Sequence, residues 1–355
     1  MSSKDLTICR FGIVLVLVAL CSNGYAKQSV SIVSDSSQHE VNHDTAYFKS
    51  YSDHIVGRLY VSQKFTRLSI ENDTAGFSFD YLPNTSLNLG VGFTYEWITL
   101  NLAYGFGFLN KDKGKGKTKY LDLQFHSYGK KLMLDVLAQF YQGFYIQTLK
   151  QGDTKSEFYQ RPDLNVYELG ASAQWVFNNQ KFSYRSSFMQ NEWQKKSAGS
   201  FLLGAEAYIG DVGAEESIIP PEIDSSAAER EYTKMNFIEL GPTVGYAHTF
   251  VIKKHFFLHA SLSMGLTFGS TTYKNFEGST EDNGFSPNSS FKLAAGYNSE
   301  KWVLNLLFVN TQVELNRARS PQKVAIETGN FRIIYAKRFK PGKKLQRKLN
   351  KVPGI

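Results

Sequence analysis

Ten charged residues occupy polar positions in segments where apolar and polar residues alternate. Six are acids and four are bases: Glu96, Asp122, Asp135, Glu168, Glu206, Glu239, Arg185, Lys292, Arg332 and Arg338. Alternation places each of them on the polar face of a strand. A charge taken out of water is costly unless it is paired or hydrated. The set therefore predicts either a salt-bridged interior or a wet pathway that selects a polar solute, and we favour the salt-bridged interior.

A glycine-rich and lysine-rich stretch, Gly114–Thr118, resembles part of a phosphate-binding loop. That motif needs a glycine where Lys111 stands, and it needs a strand-to-helix turn. The stretch lies instead between two predicted strands. We interpret it as a solvated basic loop.

Three histidines have side chains suited to metal binding or acid–base chemistry. His126 and His259 fall on polar faces, His248 falls on an apolar face, and no two have ligand spacing on one strand. A Ser–His hydrolase with residues on different strands is an alternative, but the Gly-x-Ser-x-Gly elbow is missing. The sequence therefore predicts hydrogen-bonded interior histidines, and it predicts no catalytic residue, metal ligand or cofactor.

The charged residues need strands to position them, and Leu87–Phe108 shows the strand pattern most clearly. Large apolar residues alternate there with small or polar ones almost without a break. Period two is typical of strands, because successive side chains leave opposite faces. The pattern recurs in most later segments, which predicts an antiparallel transmembrane β-barrel.

Short turns and long polar connections alternate along the chain. The predicted strands are Phe77–Leu82, the two halves of Leu87–Phe108, Tyr120–Tyr128, Leu132–Tyr145, Val166–Phe177, Phe182–Ile209, Phe237–Phe250, Phe257–Gly269, Phe291–Tyr297, Trp302–Val313 and Phe331–Phe339. The long connections are Asn110–Lys117, Leu149–Asp163, Asp211–Tyr232, Lys274–Pro287 and Asn316–Thr328. This arrangement is typical of outer-membrane barrels, whose short turns are periplasmic and whose long loops are extracellular.

The strand count depends on two segments. Strict alternation of turns and loops requires Phe182–Ile209 to be one long bulged strand, which gives twelve strands with both termini periplasmic. Ile55–Ile70 has poor alternation and is either a strand or an inward-folded segment. Counting it and splitting the bulged segment gives fourteen strands, and we favour twelve.

Residues 1–26 have the features of a secretory signal peptide. Lys4 and Arg10 give the N-terminus a positive charge. The apolar run that follows them, Phe11–Leu20, is too short to span a bilayer as a helix. Cleavage is predicted after Ala26. A lipoprotein signal at Cys21 is less favoured, because a leucine precedes it where a small residue is needed.

The remaining chain divides into three parts. Residues 27–54 are a polar periplasmic leader, partly disordered; residues 55–339 form the barrel; and residues 340–355 are a basic periplasmic tail without acids. The chain has two cysteines, Cys9 and Cys21, both inside the signal peptide. The mature chain would therefore lack disulfides, catalytic thiols and cysteine metal sites.

The formal net charge of +8 at pH 7 limits the kinds of binding partner that we expect. A soluble protein of this charge would suggest nucleic acid. An exported barrel meets anionic headgroups instead. The predicted partners are outer-membrane lipids, lipopolysaccharide and the barrel-assembly machinery, with no nucleic acid.

Several short runs resemble a family of Bacteroidota proteins known only as a domain of unknown function. They are Tyr81–Asn84, Gly116–Gln124, His126–Lys131, Gln142–Tyr145 and Gln194–Phe201. The resemblance extends over Tyr47–Phe339 and implies an outer-membrane barrel. It brings no catalytic or binding residues.

The sequence therefore predicts an outer-membrane β-barrel that is either a narrow passive channel or a plugged structural barrel. One alternative is a hydrolase of outer-membrane lipid or lipopolysaccharide. Another is a cell-surface binding protein that acts through its loops, above all Asp211–Tyr232. Enzymatic activity is not favoured.

Overall fold

The alternating segments form long antiparallel strands in the computed structural model, which describes residues 43–95, 98–109, 114–147, 158–221, 223, 232–275, 278–315 and 322–342. The strands are β1 (Phe48–Ser50), β2 (Ile55–Asn72), β3 (Phe77–Leu82), β4 (Leu87–Tyr95), β5 (Ile98–Tyr104), β6 (Lys119–Tyr128), β7 (Leu132–Gln147), β8 (Phe158–Val176), β9 (Glu192–Gln194), β10 (Ala198–Gly213), β11 (Lys234–Ile252), β12 (Phe256–Lys274), β13 (Ser279–Asn298), β14 (Trp302–Leu315) and β15 (Gln322–Phe339). Within the described residues, one short α-helix, α1, spans Tyr184–Phe188, and a 3-10 turn spans Gly107–Leu109. Within these ranges, no helix has the length and apolar character to span a bilayer.

Some predictions concern residues outside these ranges. They include the signal peptide (1–26), the first part of the leader and the tail beyond residue 342. Glu96, one of the ten predicted interior charges, also lies outside the described residues. The structure does not test these features, which remain predictions.

Ten strands close into an antiparallel barrel. Hydrogen-bonded neighbours follow the order β2, β3, β7, β8, β10, β11, β12, β13, β14, β15, and β15 pairs with β2. That last ladder runs from Gln322 opposite Asn72 to Phe339 opposite Ile55. The predicted all-β antiparallel barrel is confirmed, whereas neither twelve nor fourteen strands is confirmed. We call the end of the barrel that contains the turns after β6, β11 and β13 the lower end, and the opposite end the upper end.

The observed number of strands differs from the predicted number first at β2. The sequence analysis left open whether this segment is a strand or an inward-folded segment. Leu59 and Phe65 lie on the outer face of β2, whereas Leu68 and Ile70 lie on the inner face and are buried. The apolar residues thus move from odd to even positions within one strand. This shift explains the poor alternation, because a period-two pattern assumes one constant apolar face.

Three further strands, β4, β5 and β6, lie in the lower wall. Since β15 covers one edge of β2 along its length, β3 and β4 share the other edge. β5 pairs with β4, and β6 pairs with β7. In the part of the chain that the structure describes, no ladder joins β5 to β6. We call this interruption of the wall the β5–β6 seam.

The two halves of the barrel have opposite polarity. In the lower half, large apolar side chains point outward and form an outer apolar belt, which on β12 comprises Phe256, Leu258, Leu262, Met264, Leu266 and Phe268, each about half exposed. In the upper half, apolar side chains point inward and charged side chains face outward. Arg67 there lies 3.5 Å from Asp80 and 3.9 Å from Glu327. The outer belt alone therefore demands an apolar surrounding.

Several predicted loops are shorter in the structure because strands continue above the belt. The predicted connection Lys274–Pro287 is wrong, since β12 ends at Lys274 and β13 begins at Ser279. β8 and β15 also begin earlier than predicted, at Phe158 and Gln322. The outward residues of these extensions are mostly polar, with Phe285 of β13 as an exception, so they lack the continuous apolar outer face that the sequence interpretation required.

The predicted bulged strand Phe182–Ile209 is wrong in its first half, because β8 ends at Val176 and β10 starts only at Ala198. Between them, the Ser183 hydroxyl accepts a hydrogen bond from the Ser186 amide (3.0 Å) and caps α1. Gln190 then adopts a left-handed φ of 57°, which ends the helix. We call residues 177–197 the plug. Its strand β9 pairs with β1, which lies inside the stretch predicted as a partly disordered leader.

Candidate functional site

The upper interior is filled by apolar side chains. Inward-facing residues from most strands of the ring form one buried cluster, the upper core: Leu68, Ile70, Phe79, Tyr81, Tyr141, Phe144, Ile146, Leu164, Val166, Tyr208, Val212, Met235, Phe237, Tyr273, Val313, Leu315, Val324 and Ile326. Ile218, from the loop after β10, packs into the same cluster. Its carbonyl accepts a hydrogen bond from the Tyr81 hydroxyl (2.8 Å). Close packing of this kind excludes water from the space that these described residues fill.

A charged clamp holds that loop over the upper core. Arg161 donates to the Ser217 carbonyl (2.9 Å) and to both carboxylate oxygens of Asp163 (2.9 and 2.8 Å). Hydrogen bonding from Arg161 lowers the pKa of Asp163 to about 2. The clamp lies above the outer apolar belt, at the water-facing end of β8.

Two wall arginines hold the plug in the lower mouth. Arg58 donates to the Gln190 side-chain oxygen (2.7 Å) and to the Met189 carbonyl. Arg338 donates to the carbonyls of Gln190 (2.8 Å) and Glu192 (3.0 Å). Buried carbonyls beyond a helix end need donors, and the two guanidinium groups supply them. Arg338, predicted as a lumen charge, is thus a latch for the plug.

Apolar contacts complete the lower seal. Phe182, Tyr184 and Met189 of the plug are buried in one cluster with the wall residues Tyr128 and Met133. His259 of β12 lies among plug rings, with its ring centroid 5.0 Å from that of Tyr184 and 5.1 Å from that of Phe188. The lower mouth is therefore filled by packed side chains.

Arg185 does not lie where the sequence placed it. It was predicted on the inner face of a strand, but it belongs to α1 inside the plug. Its Nε atom lies 3.8 Å from Oε1 of Glu192, which is also a plug residue. The prediction is wrong because the plug has no strand period from which a face could be derived.

The middle of the interior is polar, and Asp135 of β7 is its best-connected acid. The Lys292 ammonium reaches it from β13 (2.6 Å). His126 Nδ1 lies 2.6 Å from the same carboxylate, and the Tyr128 hydroxyl donates to it (2.7 Å). A pair from β7 and β13 joins walls that are distant in the strand order, so this ion pair crosses the interior.

Asp122 of β6 forms a second paired centre. Lys64 of β2 contacts its carboxylate (2.8 Å), and the Tyr141 hydroxyl (2.9 Å) and the Gln139 amide (3.1 Å) donate to its other oxygen. Sequence reasoning missed Lys64, because it lies in the segment where the apolar face changes. The one feature that marks Lys64 as an interior charge is its place opposite the buried Asp122. That placement is known only from the folded structure.

The structure places Glu168, Glu206 and Glu239 inside the barrel with neutral partners. Thr328 donates to Glu168 (3.3 Å), Asn288 to Glu206 (3.0 Å), and Thr267 to Glu239 (2.8 Å). Among the described residues, no basic side chain forms an ion pair with any of the three. Within the described residues, the predicted network is therefore paired at Asp122 and Asp135 only.

Arg332 also lies inside and has an aromatic rather than an acidic neighbour. Its guanidinium carbon is 4.8 Å from the centroid of the Tyr60 ring, a cation–π contact. Its buried Nε atom has no hydrogen-bond partner. Asn330, the next inward residue along β15, is 4% exposed and has an unpartnered Oδ1.

A chamber of about 60 Å³ lies in this polar middle layer. Its polar lining includes His126, Asp135, Gln174, Glu206, Lys292 and Asn330. A space of this size holds several water molecules. The chamber therefore brings together three of the predicted interior charges, namely Asp135, Glu206 and Lys292.

The geometry gives little support to catalysis or metal binding. No group of three or more His, Cys, Asp or Glu in the described residues could hold a metal ion. His259 Nδ1 lies 2.9 Å from the Thr249 hydroxyl in a fully buried place, and His126 contacts a carboxylate. In the same ranges, no serine hydroxyl is hydrogen-bonded to a histidine. The arrangement suits binding and structural sealing.

Fold and interior together define a class: an antiparallel β-barrel with an internal plug and a polar chamber. The chain belongs to the family described as Domain of unknown function (DUF4421), whose model matches residues 42–339. No curated protein matches the chain.

Several solved structures match most of this chain at low sequence identity and low TM-score. The outer membrane protease OmpT from Escherichia coli has 8% identity and a TM-score of 0.35, over 82% of this chain and 98% of that one. OmpT of Vibrio cholerae has 11% identity and a TM-score of 0.28, over 80% and 97%. The Pseudomonas putida toluene transporter TodX has 7% identity and a TM-score of 0.25, over 82% and 91%. At this level of similarity, no activity is transferred to this chain.

Proposed function

We propose that this protein is an outer-membrane β-barrel whose interior is sealed along its axis, rather than an open diffusion channel. The observation that carries the proposal is the double closure. The upper core fills one end, and the plug, latched by Arg58 and Arg338, fills the other. An axial pore would need a continuous polar path, and packed apolar layers interrupt it.

The outer apolar belt supports a place in the bilayer. Its side chains are exposed on the outside of the sheet, and neighbouring strands satisfy the backbone hydrogen bonds of the ten ring strands internally. The predicted signal peptide supports export to the outer membrane. The belt would contact lipid, and assembly would depend on the barrel-assembly machinery.

Location is tested by cell fractionation and gel mobility. The protein should be recovered with the outer membrane, and unboiled samples should migrate differently from boiled ones because the folded barrel resists the detergent. Recovery as a soluble periplasmic protein, with one mobility, would overturn the proposal.

The seal is tested in planar bilayers with variants of the latch. The unaltered protein should show no steady conductance. The double variant Arg58→Ala and Arg338→Ala should melt at a lower temperature and open a leak, because each unpaired buried carbonyl costs roughly 1–3 kcal/mol. Lys49→Ala is the matched control, since Lys49 pairs with Glu300 on the exposed surface (2.8 Å). A steady, ion-selective current through the unaltered protein would favour the channel instead.

The other two candidate functions have less support. The hydrolase lacks a nucleophile paired with a base in the described residues. The surface-binding candidate relied on Asp211–Tyr232, but β10 continues to Gly213 and Ile218 packs into the upper core. Less of that segment is available to a partner than its length suggests.

A further inference from the structure

The β5–β6 seam leaves the wall of the barrel open at one place. Asn101 and Ala103, on the inner face of β5, are exposed, whereas inward residues of most other strands are buried. On the inner face of β6, the His126 side chain is 36% exposed. Since the upper core and the plug close both ends, this exposure arises through the wall.

An open seam at the level of the belt has an energetic consequence. Within the described residues, the facing edges of β5 and β6 share no ladder, so most N–H and C=O groups along them lack a strand partner, which is costly against hydrocarbon. The Asp122 carbonyl of β6 instead accepts a hydrogen bond from Lys64 Nζ (2.8 Å). The outward side chains beside them are apolar, with Leu100, Leu102, Leu121 and Leu123 all more than half exposed. Whatever occupies the seam must therefore be apolar outside and polar inside, which is the character of an amphiphile.

The seam connects to the chamber through β6, because Gln124 and His126 line the chamber. Among the charged lining residues, Asp135 and Lys292 neutralise each other. Among the described residues, Glu206 has no basic partner, and Asn330 Oδ1 lacks a donor although it is buried. Beside that pair, the chamber thus has one further carboxyl group and one unfilled acceptor, which favours a cationic group with several N–H donors.

We propose that the β5–β6 seam admits an amphiphile from the bilayer whose polar head carries an ammonium group. The head enters the chamber and donates to Glu206 and Asn330, while the apolar chain lies along the outward leucines of β5 and β6. The inference rests on the proposed function, since a sealed barrel in a bilayer makes the seam the route to the chamber.

The binding step is tested with dodecylammonium added to the purified full chain in maltoside detergent, with bound adducts measured by native mass spectrometry. Dodecylammonium should bind more tightly than dodecyl phosphate or dodecanol. Glu206→Gln should weaken it by about tenfold or more, because a charge-assisted hydrogen bond is lost. Glu239→Gln is the matched control: Glu239 is also buried without an ion pair, but it does not line the chamber.

Two outcomes of that experiment would overturn the ligand class. One is tighter binding of dodecyl phosphate than of dodecylammonium, which would assign an anionic head. The other is equal binding by the Glu206→Gln and Glu239→Gln variants. Unchanged migration of unboiled samples on gels shows in each case that the variant has folded.

The route is tested by closing the seam. The only cysteines lie in the predicted signal peptide, so Leu102→Cys with Leu123→Cys can be bridged selectively by bismaleimides of increasing length. Bridging should slow loading of dodecylammonium by about tenfold or more, and Ala103→Trp, which fills the inner face of β5, should do the same. Leu262→Cys with Phe291→Cys, a directly paired outward position on β12 and β13, is the bridged control.

The two proposals fail in different ways. Unchanged loading after closure of the seam, without conductance in planar bilayers, would overturn the lateral route alone. A steady conductance of the unaltered protein would overturn the sealed barrel and give the chamber an axial entrance.

Discussion

The upper and lower halves of the barrel use the same strands with opposite polarity. On β15, Ile326 lies in the upper half, faces inward and is fully buried, whereas Ile333 lies in the lower half, faces outward and is 40% exposed. The two isoleucines differ only in which side of the wall is apolar. The comparison teaches that the outer surroundings determine what the interior of each half must be.

The difference follows from the cost of burying polar groups. Where the outside is apolar, the small and charged residues of each strand must turn inward, and they need partners there. Asp135 with Lys292 and Asp122 with Lys64 are such partners. Where the outside is water, apolar side chains turn inward, and the upper half packs like a soluble protein.

The largest effect is expected from truncating an isoleucine in the upper core. Ile326→Ala should lower the free energy of unfolding by about 2–5 kcal/mol, because it leaves a cavity in packed surroundings. Ile333→Ala should cost roughly 1 kcal/mol or less, because lipid replaces the lost contacts. Urea unfolding of both variants in vesicles measures the difference. Equal losses would show that the two halves do not differ in packing.

A charge on the outer surface tests the same boundary from outside. Leu262→Arg places a cation in the belt and should cost about 2–4 kcal/mol. Thr272→Arg, on the outer face of the same strand above the belt, should change stability by roughly 0.5 kcal/mol or less. Yield of folded protein and melting temperature report both. Similar damage at the two positions would mean that the belt extends to the top of β12.

The smallest effect concerns the clamp above the belt and its dependence on pH. The folded pKa of Asp163 is about 2, below an unfolded value of about 3.9, so its contribution is present above about pH 4. That contribution should be lost as the pH falls towards 2, by roughly 1 kcal/mol for a partly solvated pair.

Asp163→Asn should therefore flatten the dependence of melting temperature on pH between 5 and about 2.5. Glu71→Gln, on the outer face of β2, serves as the control for charge removal alone. An identical pH profile for the unaltered protein and Asp163→Asn would show that the clamp does not stabilise the upper half.

The sequence allowed the lower wall to be predicted well and the upper wall poorly. Leu262 and its neighbours on β12 alternate without interruption, so their outward direction follows from period two alone. β2 changes its apolar face near Thr66, and β13 starts at Ser279 with polar outward residues. Neither feature follows from the alternation of apolar and polar residues along the sequence, because both depend on where the outer apolar belt ends.

The interior was predictable only where strands position it. Asp122, Asp135, Glu168, Glu206, Glu239, Lys292, Arg332 and Arg338 all face inward as alternation indicates. Their partners depend on which strands face each other across the barrel, and no local pattern encodes that. The plug was missed because α1, Gln190 and β9 follow no period, and Arg185 was misplaced with it.

The ladder between β2 and β15 also governs the order of folding. Ile55 and Phe339, near the two ends of the described chain, are partners in this ladder. The barrel therefore cannot close until β15 is available for pairing. Until then, the edge of β2 that pairs with β15 stays without a partner, while all the other strands assemble. Such long sequence separation makes closure slow and entropically costly. Shielding of this edge from other chains would protect the protein at the step at which it is most prone to aggregate.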